Sequence, residues 1–130
     1  MVSSSFSNDK VAVVTGSSSG IGFETSAAKN GFHTYATARN PGKLQALMDI
    51  ARDNGLSIQT MQLDVTSDKS VNDAVSIILL ESKRIDVVVN NAGYALVGAL
   101  EDTSMDEIKA QFETNLFGAI RVMQAVLPTM

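Results

Sequence analysis

The sequence has 130 residues, of which 45% are hydrophobic and 18% charged, and its net charge is −4 at pH 7. This composition suffices for one domain with a buried core, and the acidic balance gives no general attraction for nucleic acid or an anionic membrane. The chain has no cysteine and one histidine, His33, which excludes disulfides, thiol chemistry and histidine-rich metal sites. We therefore expect a cytoplasmic protein without a bound metal.

The order of the predicted elements indicates one α/β unit. Residues 1–9 are polar and are predicted to form a disordered tail, whereas 10–130 form the domain. Four apolar, β-branched runs predict strands at 10–15, 32–38, 57–63 and 86–90. The first and fourth are almost continuously apolar, which is typical of parallel strands buried on both faces. Helical patterns follow each strand, and this alternation predicts a parallel sheet covered by helices on both faces.

Residues suited to helix ends mark the boundaries of the predicted helices. Predicted C-terminal caps are Gly31 and Gly55, and predicted N-terminal caps are Asn40 (before Pro41), Thr66 and Ser104. Ser104 and Glu107 form an S-x-x-E capping box. It opens a helix predicted to run to about residue 127, whose inward stripe is Ile108, Phe112, Leu116, Ala119, Met123 and Leu127.

The strongest local signal is VVTGSSSGIG at 13–22, between the first strand and the first helix. Its glycines, Gly16, Gly20 and Gly22, allow a sharp turn and a close approach of the backbone to a phosphate. The helix start adds free N–H groups and a positive dipole end. An ordinary serine-glycine loop is the alternative, but the position after a buried strand and before a helix favours phosphate binding.

The end of the second strand carries information about a nucleotide. It reads Ala38–Arg39, with no acidic residue until Asp49. An acidic residue here would suit a free ribose 2′-hydroxyl, whereas an arginine suits a 2′-phosphate. The sequence thus favours NADP(H) over NAD(H), although Arg39 could be a solvated loop cation.

Three further polar positions have both a structural and a functional interpretation. Asp64–Val65 either enters the third helix or contacts a base. The amides in 90–93 follow the fourth strand, at the end where ligands bind in such sheets, and they need hydrogen bonds whether or not a ligand supplies them. Asn115 lies near the apolar stripe of the last helix, and taken alone it is better interpreted as a satisfied core amide.

Together, TGSSSGIG at 15–22, DV at 64–65, NNAG at 90–93 and ETNLFG at 113–118 resemble the N-terminal half of the short-chain dehydrogenase/reductase (SDR) family. The resemblance covers about Lys10 to Met130. It implies a doubly wound Rossmann fold with strand order 3-2-1-4, before a fifth strand. The resemblance implies that the cofactor's diphosphate and ribose are contacted by Gly16, Ser18, Gly20, Ile21 and Gly22. It implies further contacts of the 2′-phosphate with Arg39 and of the adenine with Asp64 and Val65. The second ribose would be lined by Asn90, Ala92 and Gly93.

The resemblance also implies an activity, for which this sequence holds only part of the machinery. The family passes hydride between nicotinamide and a carbonyl or secondary alcohol, and Asn115 matches its catalytic asparagine. The family's serine and Tyr-x-x-x-Lys have no counterpart here, because neither Tyr35 nor Tyr94 is followed by lysine four residues later. We therefore expect residues 1–130 alone to be catalytically inactive.

An apolar fourth strand without a fifth beside it would be an unprotected edge. The sequence thus predicts a homo-oligomer, associating through 86–90 or through the helix 104–127. A nucleotide-binding module without catalysis and a self-associating half-domain without a nucleotide both stay open as alternatives.

Overall fold

The computed structural model describes residues 9–26 and 31–130. The predicted tail lies outside this range except for Asp9, and so does the end of the helix that Gly31 was predicted to cap. In chain order the elements are β1 (Lys10–Val14), α1 (Gly20–Ser26), β2 (Phe32–Ala38), a 3₁₀ turn (Pro41–Leu44), α2 (Gln45–Asn54), β3 (Ile58–Gln62), α3 (Asp68–Ser82), β4 (Val87–Val89), a 3₁₀ turn (Leu100–Asp102), α4 (Met105–Phe112), a π-helical turn (Glu113–Phe117), α5 (Gly118–Val126) and a final 3₁₀ turn (Leu127–Thr129).

The four strands form one parallel sheet in the order β3-β2-β1-β4, as predicted. Val13 of β1 lies between Tyr35 of β2 and Val88 of β4. β1 is buried on both faces after its first residue. β4 is less buried, with Val87 38% exposed, because β1 is the only strand beside it in the described part of the chain. This agrees with the predicted open edge rather than with burial on both faces.

Apolar side chains pack on both faces of the sheet, which confirms the doubly wound architecture. The larger cluster lies between the sheet, α3 and α5; it contains Val11, Val13, Tyr35, Leu63, Val65, Val71, Ala74, Val75, Ile78, Ile85, Val122 and Val126. The smaller cluster lies on the α1 and α2 side and contains Ala36, Ala38, Leu44 and Leu47. Both sets of helices start from loops at the carboxyl ends of strands, so these loops meet at one edge of the sheet.

Three of the predicted helix caps are confirmed. Asn40 Oδ1 accepts a hydrogen bond from the Gly42 N–H at 3.0 Å, although the first turn that it caps is 3₁₀ rather than α. Gly55 ends α2 in the left-handed conformation, with a φ of 64°. Ser104 and Glu107 form both hydrogen bonds of the capping box.

The predicted cap at Thr66 is wrong, because its neighbour Ser67 caps α3 and accepts a hydrogen bond from the Ser70 N–H. The carboxylate of Asp64 accounts for the shift. Its Oδ1 accepts from both the N–H and the hydroxyl of Thr66, at 2.9 and 2.7 Å. Thr66 is therefore held in a turn, one residue before the cap and two before the first residue of α3.

The long helix predicted over 104–127 is interrupted by the π turn, and its inward face was predicted wrongly. Gly118, Val122 and Val126 are buried, whereas members of the predicted stripe are at least 40% exposed, namely Phe112, Leu116, Met123 and Leu127. A π turn adds one residue to the helical repeat. An added residue moves the downstream face later, whereas the buried face of α5 lies one residue earlier than the predicted stripe. The stripe is already out of phase before the π turn, where Phe112 is 54% exposed.

None of the described helices combines the length and the apolar character needed to cross a lipid bilayer.

Candidate nucleotide-binding site

A cleft of about 480 Å³ opens at the carboxyl edge of the sheet. Its volume falls within the range of about 300–1,000 Å³ found for small-molecule sites. Loops that follow all four strands contribute to its walls, as does the π turn. The lining residues are Gly16, Ser18, Ser19, Gly20, Ile21, Ala38, Arg39, Leu63, Val65, Thr66, Asn91, Ala92, Gly93, Tyr94 and Thr114.

The structure brings most of the sequence-predicted residues to this one cleft, and four lie behind or beside it. The predicted residues that line the cleft are Gly16, Ser18, Gly20, Ile21, Arg39, Val65, Ala92 and Gly93. Those not among the lining residues are Gly22, Asp64, Asn90 and Asn115. For Gly22, Asp64 and Asn115 the contacts described below give each a supporting role.

The glycine loop packs closely against the segment that follows β4. Gly16 has a φ of +66°, and a Cβ placed on it would lie 2.8 Å from the Ala92 Cα. Gly20 also has a positive φ, +62°, but a Cβ there would meet nothing within 4 Å. Gly16 therefore allows two backbones to touch, whereas Gly20 turns the chain beside open space at the start of α1.

Gly22 and Asn91 support the glycine loop from behind. The Asn91 side-chain Nδ2 donates to the Gly16 carbonyl at 3.1 Å. A Cβ on Gly22 would lie 2.3 Å from that carbonyl oxygen and 2.4 Å from Nδ2. Gly22 thus leaves the space in which this hydrogen bond forms, and the amide of Asn91 has the structural role that the sequence left open.

Thr15 is a site residue that the sequence analysis missed. It is buried directly after β1, and its Oγ1 accepts from the N–H groups of Asn91 and Ala92, at 3.0 and 2.9 Å. One hydroxyl thereby satisfies two backbone donors in the loop after β4. Its position immediately before Gly16, at the end of a buried strand, was the available signal.

Arg39 contributes a positive charge to the rim of the cleft. Its side chain is exposed, and within residues 9–26 and 31–130 its guanidinium forms neither a hydrogen bond nor an ion pair. Only its backbone carbonyl is engaged, by Gln62 Nε2 at 3.5 Å. The guanidinium donors are therefore available to an anion in the cleft.

Asp64 and Val65, in the loop after β3, have different surroundings. Asp64 holds Thr66 in the turn before α3, and its own N–H donates to Ser70 Oγ at 2.8 Å. Helix entry, one of the two alternatives for Asp64, therefore describes its contacts, and a contact with a base stays a prediction. Val65 is buried, yet it reaches the cleft wall.

Asn115 lies in the π turn and binds the backbone of Tyr94 with both ends of its amide. Oδ1 accepts from the Tyr94 N–H at 2.9 Å, and Nδ2 donates to the Tyr94 carbonyl at 2.7 Å. A Cβ on Gly93 would lie 2.8 Å from Oδ1, so the glycine lets the amide approach. The interpretation of Asn115 as a core amide is wrong, because its side chain is exposed and holds a loop. π turns of this kind are frequent at functional sites.

Neither tyrosine has the surroundings of an acid/base catalyst. Tyr35 is buried outside the cleft lining, at the end of α3, where its hydroxyl donates to Glu81 Oε2 at 2.9 Å and contacts Ser82 Oγ at 2.7 Å. Burial raises the pKa of Tyr35 to about 12. Tyr94 lines the cleft, and no cationic residue is among its described hydrogen-bond partners.

The glycine turn, the parallel sheet of order β3-β2-β1-β4 and the loops at its carboxyl edge agree with one family. A family model described as short chain dehydrogenase matches residues 10–130. The chain belongs to this family. Among curated SDR relatives it is 42% identical over 128 residues to an uncharacterized oxidoreductase, YusZ, of Bacillus subtilis, covering 93% of this chain and 44% of the relative. It is 41% identical over 127 residues to retinol dehydrogenase 8 of Homo sapiens, covering 93% of this chain and 40% of that relative.

Solved SDR structures share the fold. Actinorhodin polyketide ketoreductase, in a structure with NADPH, superposes with a TM-score of 0.89 at 31% identity, over 95% of this chain and 48% of the other. A short chain dehydrogenase/reductase of Burkholderia phymatum, in complex with NAD, superposes with a TM-score of 0.84 at 26% identity, over 96% of this chain and 45% of the other. The chain thus spans less than half the length of each of these four proteins.

Proposed function

We propose that the protein is an NADP(H)-dependent oxidoreductase that transfers hydride between nicotinamide and a carbonyl or secondary alcohol. The observation that carries the proposal is the cleft at the carboxyl edge, with the glycine turn on one side and the uncommitted guanidinium of Arg39 on its rim. A dinucleotide phosphate needs both a backbone that it can approach closely and a cation beside its 2′-phosphate.

The described residues fit such a cofactor. Gly16 and Gly20 carry no side chain and leave the backbone of this turn accessible at the start of α1, where a diphosphate can approach. Ser18 and Ile21 line the same wall, with Gly22 supporting it from behind. Arg39 would bind the 2′-phosphate.

The remaining predicted contacts divide between the two ends of the cleft. Asp64 and Val65 would lie beside the adenine, and Asn90, Ala92 and Gly93 beside the nicotinamide ribose. When bound, the nicotinamide would supply or accept the hydride.

Asn115 is the candidate catalytic residue of this chain. Its amide fixes the backbone of Tyr94 beside the ribose-binding segment, so it orients the floor of the cleft at the nicotinamide end. Residues 1–130 contain no Tyr-x-x-x-Lys to hold and move the proton of a substrate hydroxyl. We therefore propose that these 130 residues bind the cofactor without turnover by themselves.

A bulky apolar alcohol or ketone is the proposed substrate class. Tyr94, Leu96 and Val97 follow β4 at the cleft side, and Val97 is 91% exposed. Retinol dehydrogenase 8 of Homo sapiens is 41% identical over 127 residues, which supports an apolar substrate. A cytoplasmic location agrees with the lack of cysteine and stays a prediction.

Self-association is proposed through two exposed apolar surfaces. The free side of β4 carries the partly exposed Val87, and the outer face of α4, the π turn and α5 carries Phe112, Leu116 and Met123. An open apolar strand edge favours pairing with another strand. A monomeric species by sedimentation at micromolar concentration would exclude this part of the proposal.

Calorimetric titration with NADPH and NADH tests the cofactor assignment. A charge-assisted hydrogen bond contributes about 1.5–3 kcal/mol, so we expect NADPH to bind at least about tenfold more tightly than NADH. Arg39→Ala should abolish that preference and leave the NADH affinity unchanged. Arg52→Ala is the matched control, because Arg52 is an exposed arginine of α2 that pairs with Asp49. Equal affinities for the two cofactors in the unaltered protein would reject the NADP(H) assignment.

A further inference from the structure

Arg121 of α5 joins three segments behind the wall of the cleft. Its Nε donates to the carboxylate of Asp68, at the start of α3. Nη1 donates to the Val65 carbonyl at 2.5 Å, and Nη2 donates to Glu113 Oε1 at 2.8 Å, at the start of the π turn. The side chain is 21% exposed, and the proposed cofactor contacts do not include it. A guanidinium with three separate acceptors is held in one orientation.

Two residues of α5 contact Val65, one at its side chain and one at its backbone. A Cβ on Gly118 would lie 2.6 Å from Val65 Cγ2, so the missing side chain lets α5 approach the valine methyl groups closely. Arg121 lies on the same face of α5, three residues later, and binds the Val65 carbonyl. The side chain and the backbone of this cleft residue are therefore both positioned by one helix.

The surroundings of Arg121 require a charged, planar group. Its partners Asp68 and Glu113 are both acidic, and the hydrogen bonds that Arg121 donates, first to Asp68 and then to Glu113, raise the pKa of Arg121. The planar fork of a guanidinium can donate in several fixed directions at once, whereas a lysine ammonium is a compact point charge. Lysine could balance the charge here but could not keep the whole set of hydrogen bonds.

We propose that Arg121 is a positioning residue that sets the adenosine side of the cleft by fixing Val65. The inference rests on the proposed function, in which Val65 lies beside the adenine. The nicotinamide side has hydrogen bonds of its own, because Asn115 binds the backbone of Tyr94 there, and Arg121 contacts the turn that carries Asn115 only through Glu113. Loss of Arg121 should therefore weaken binding of the adenosine half of the cofactor and spare the nicotinamide half.

Binding of the two halves is measured by titrating the purified protein with 2′,5′-ADP and, separately, with nicotinamide mononucleotide. Residues that act on a ligand without touching it change its affinity by about 2- to 30-fold. For Arg121→Met we expect a roughly tenfold loss of affinity for 2′,5′-ADP and less than about a twofold change for nicotinamide mononucleotide. Arg121→Lys should show a smaller loss for 2′,5′-ADP.

Arg84→Met is the matched control. Arg84 also donates two hydrogen bonds to an acid, Asp86, at 2.8 and 2.7 Å, but it is not among the cleft residues. It should leave the affinities for both fragments unchanged. Unchanged binding of 2′,5′-ADP to folded Arg121→Met, or an equal loss for both fragments, would overturn the inference.

A thermal melt shows whether Arg121→Met folds; where it does not, Arg121→Lys decides by the same criterion. Failure of the unaltered protein to bind 2′,5′-ADP would have a different meaning. It would reject the proposed cofactor, and this inference with it.

Discussion

Polar side chains gather at two places on the sheet, and their hydrogen bonds differ in kind. One set, the β2–α3 cluster, consists of His33, Tyr35, Ser57, Gln59, Glu81 and Ser82. The Tyr35 hydroxyl contacts both Glu81 and Ser82, Gln59 Nε2 donates to Glu81 at 3.0 Å, and His33 Nδ1 lies 2.7 Å from Ser57 Oγ. The members of this cluster bond one another, side chain to side chain.

In the cleft, side chains bond mostly to the backbone of loops. Thr15 binds two N–H groups of the segment after β4, Asn91 binds a carbonyl of the glycine loop, and Asn115 binds Tyr94. These hydrogen bonds fix the shape of the walls, and the Arg39 guanidinium is left without a partner in the described part of the chain.

The two sets therefore have different roles, one in the stability of the fold and the other in ligand binding. The cluster contributes to the free energy of unfolding through its buried members His33, Tyr35 and Ser82, because a buried polar group that loses its partner is left unsatisfied, whereas Glu81 is exposed to solvent. A set of braced loops around an open cleft contributes mainly to the affinity for a ligand. Substitutions in the cluster should therefore change stability without changing cofactor affinity, and substitutions in the cleft should do the reverse.

The largest expected effect is on cofactor binding in Gly16→Ala. The added Cβ would meet the Ala92 backbone at 2.8 Å, and the φ of +66° is unfavourable for alanine. Moving these two walls apart should weaken NADPH binding by about 100-fold, or about 2.7 kcal/mol. Calorimetric titration measures it.

Gly55→Ala is the control for Gly16→Ala, because it has a similar φ of +64° and no neighbour within 4 Å of the added Cβ. It should destabilise the fold by about 1 kcal/mol and leave NADPH binding intact. If both variants bound NADPH equally well, the close approach at Gly16 would have no functional meaning.

The next effect is on stability, in Tyr35→Phe. The substitution leaves the buried Ser82 hydroxyl without its partner, so the free energy of unfolding should fall by about 1–3 kcal/mol. Glu81 is exposed and keeps its hydrogen bond from Gln59. Urea denaturation measures it. Tyr94→Phe is the control, since Tyr94 is 46% exposed and its stability contribution should be negligible. A change in NADPH affinity in Tyr35→Phe would break the proposed separation.

The sequence predicted the sheet and the glycine loop because both depend on local patterns. A buried parallel strand followed by Gly16, Gly20 and Gly22 is typical of a phosphate-binding turn, and the strand order followed from the family resemblance. The helix caps at Asn40 and Gly55 were also predicted from local sequence. These features need only a few neighbouring residues to specify them.

What the sequence did not predict depends on contacts between distant residues. Thr114 lies in the π turn and lines the cleft, and no period in the sequence indicated this turn. Thr15 and Arg121 act on loops more than 50 residues away, at Asn91 and Val65. The role of a polar residue whose hydrogen-bond partners lie that far along the chain cannot be predicted from the residues next to it in the sequence.

The smallest expected effect concerns the dependence of stability on pH, and His33 carries it. His33 is buried, and this burial lowers its pKa in the folded chain below the usual 6.5, against smaller raising effects from Gln59 and from the charges of Asp9 and Glu81. The unfolded chain therefore binds a proton at a higher pH than the folded chain does.

The sign of the effect follows from this difference. The contribution of His33 to stability is fully present above about pH 6.5, decreases as the pH falls below that value, and stops changing below the folded-state pKa. We measure the free energy of unfolding by urea denaturation at intervals from pH 8 to pH 5. Between pH 8 and pH 5 the free energy of unfolding should fall less in His33→Gln than in the unaltered protein. The carboxylates contribute equally to the pH dependence of the two proteins. Identical pH profiles would mean that the β2–α3 cluster is not closed around His33, and the contrast with the cleft would then rest on Tyr35 alone.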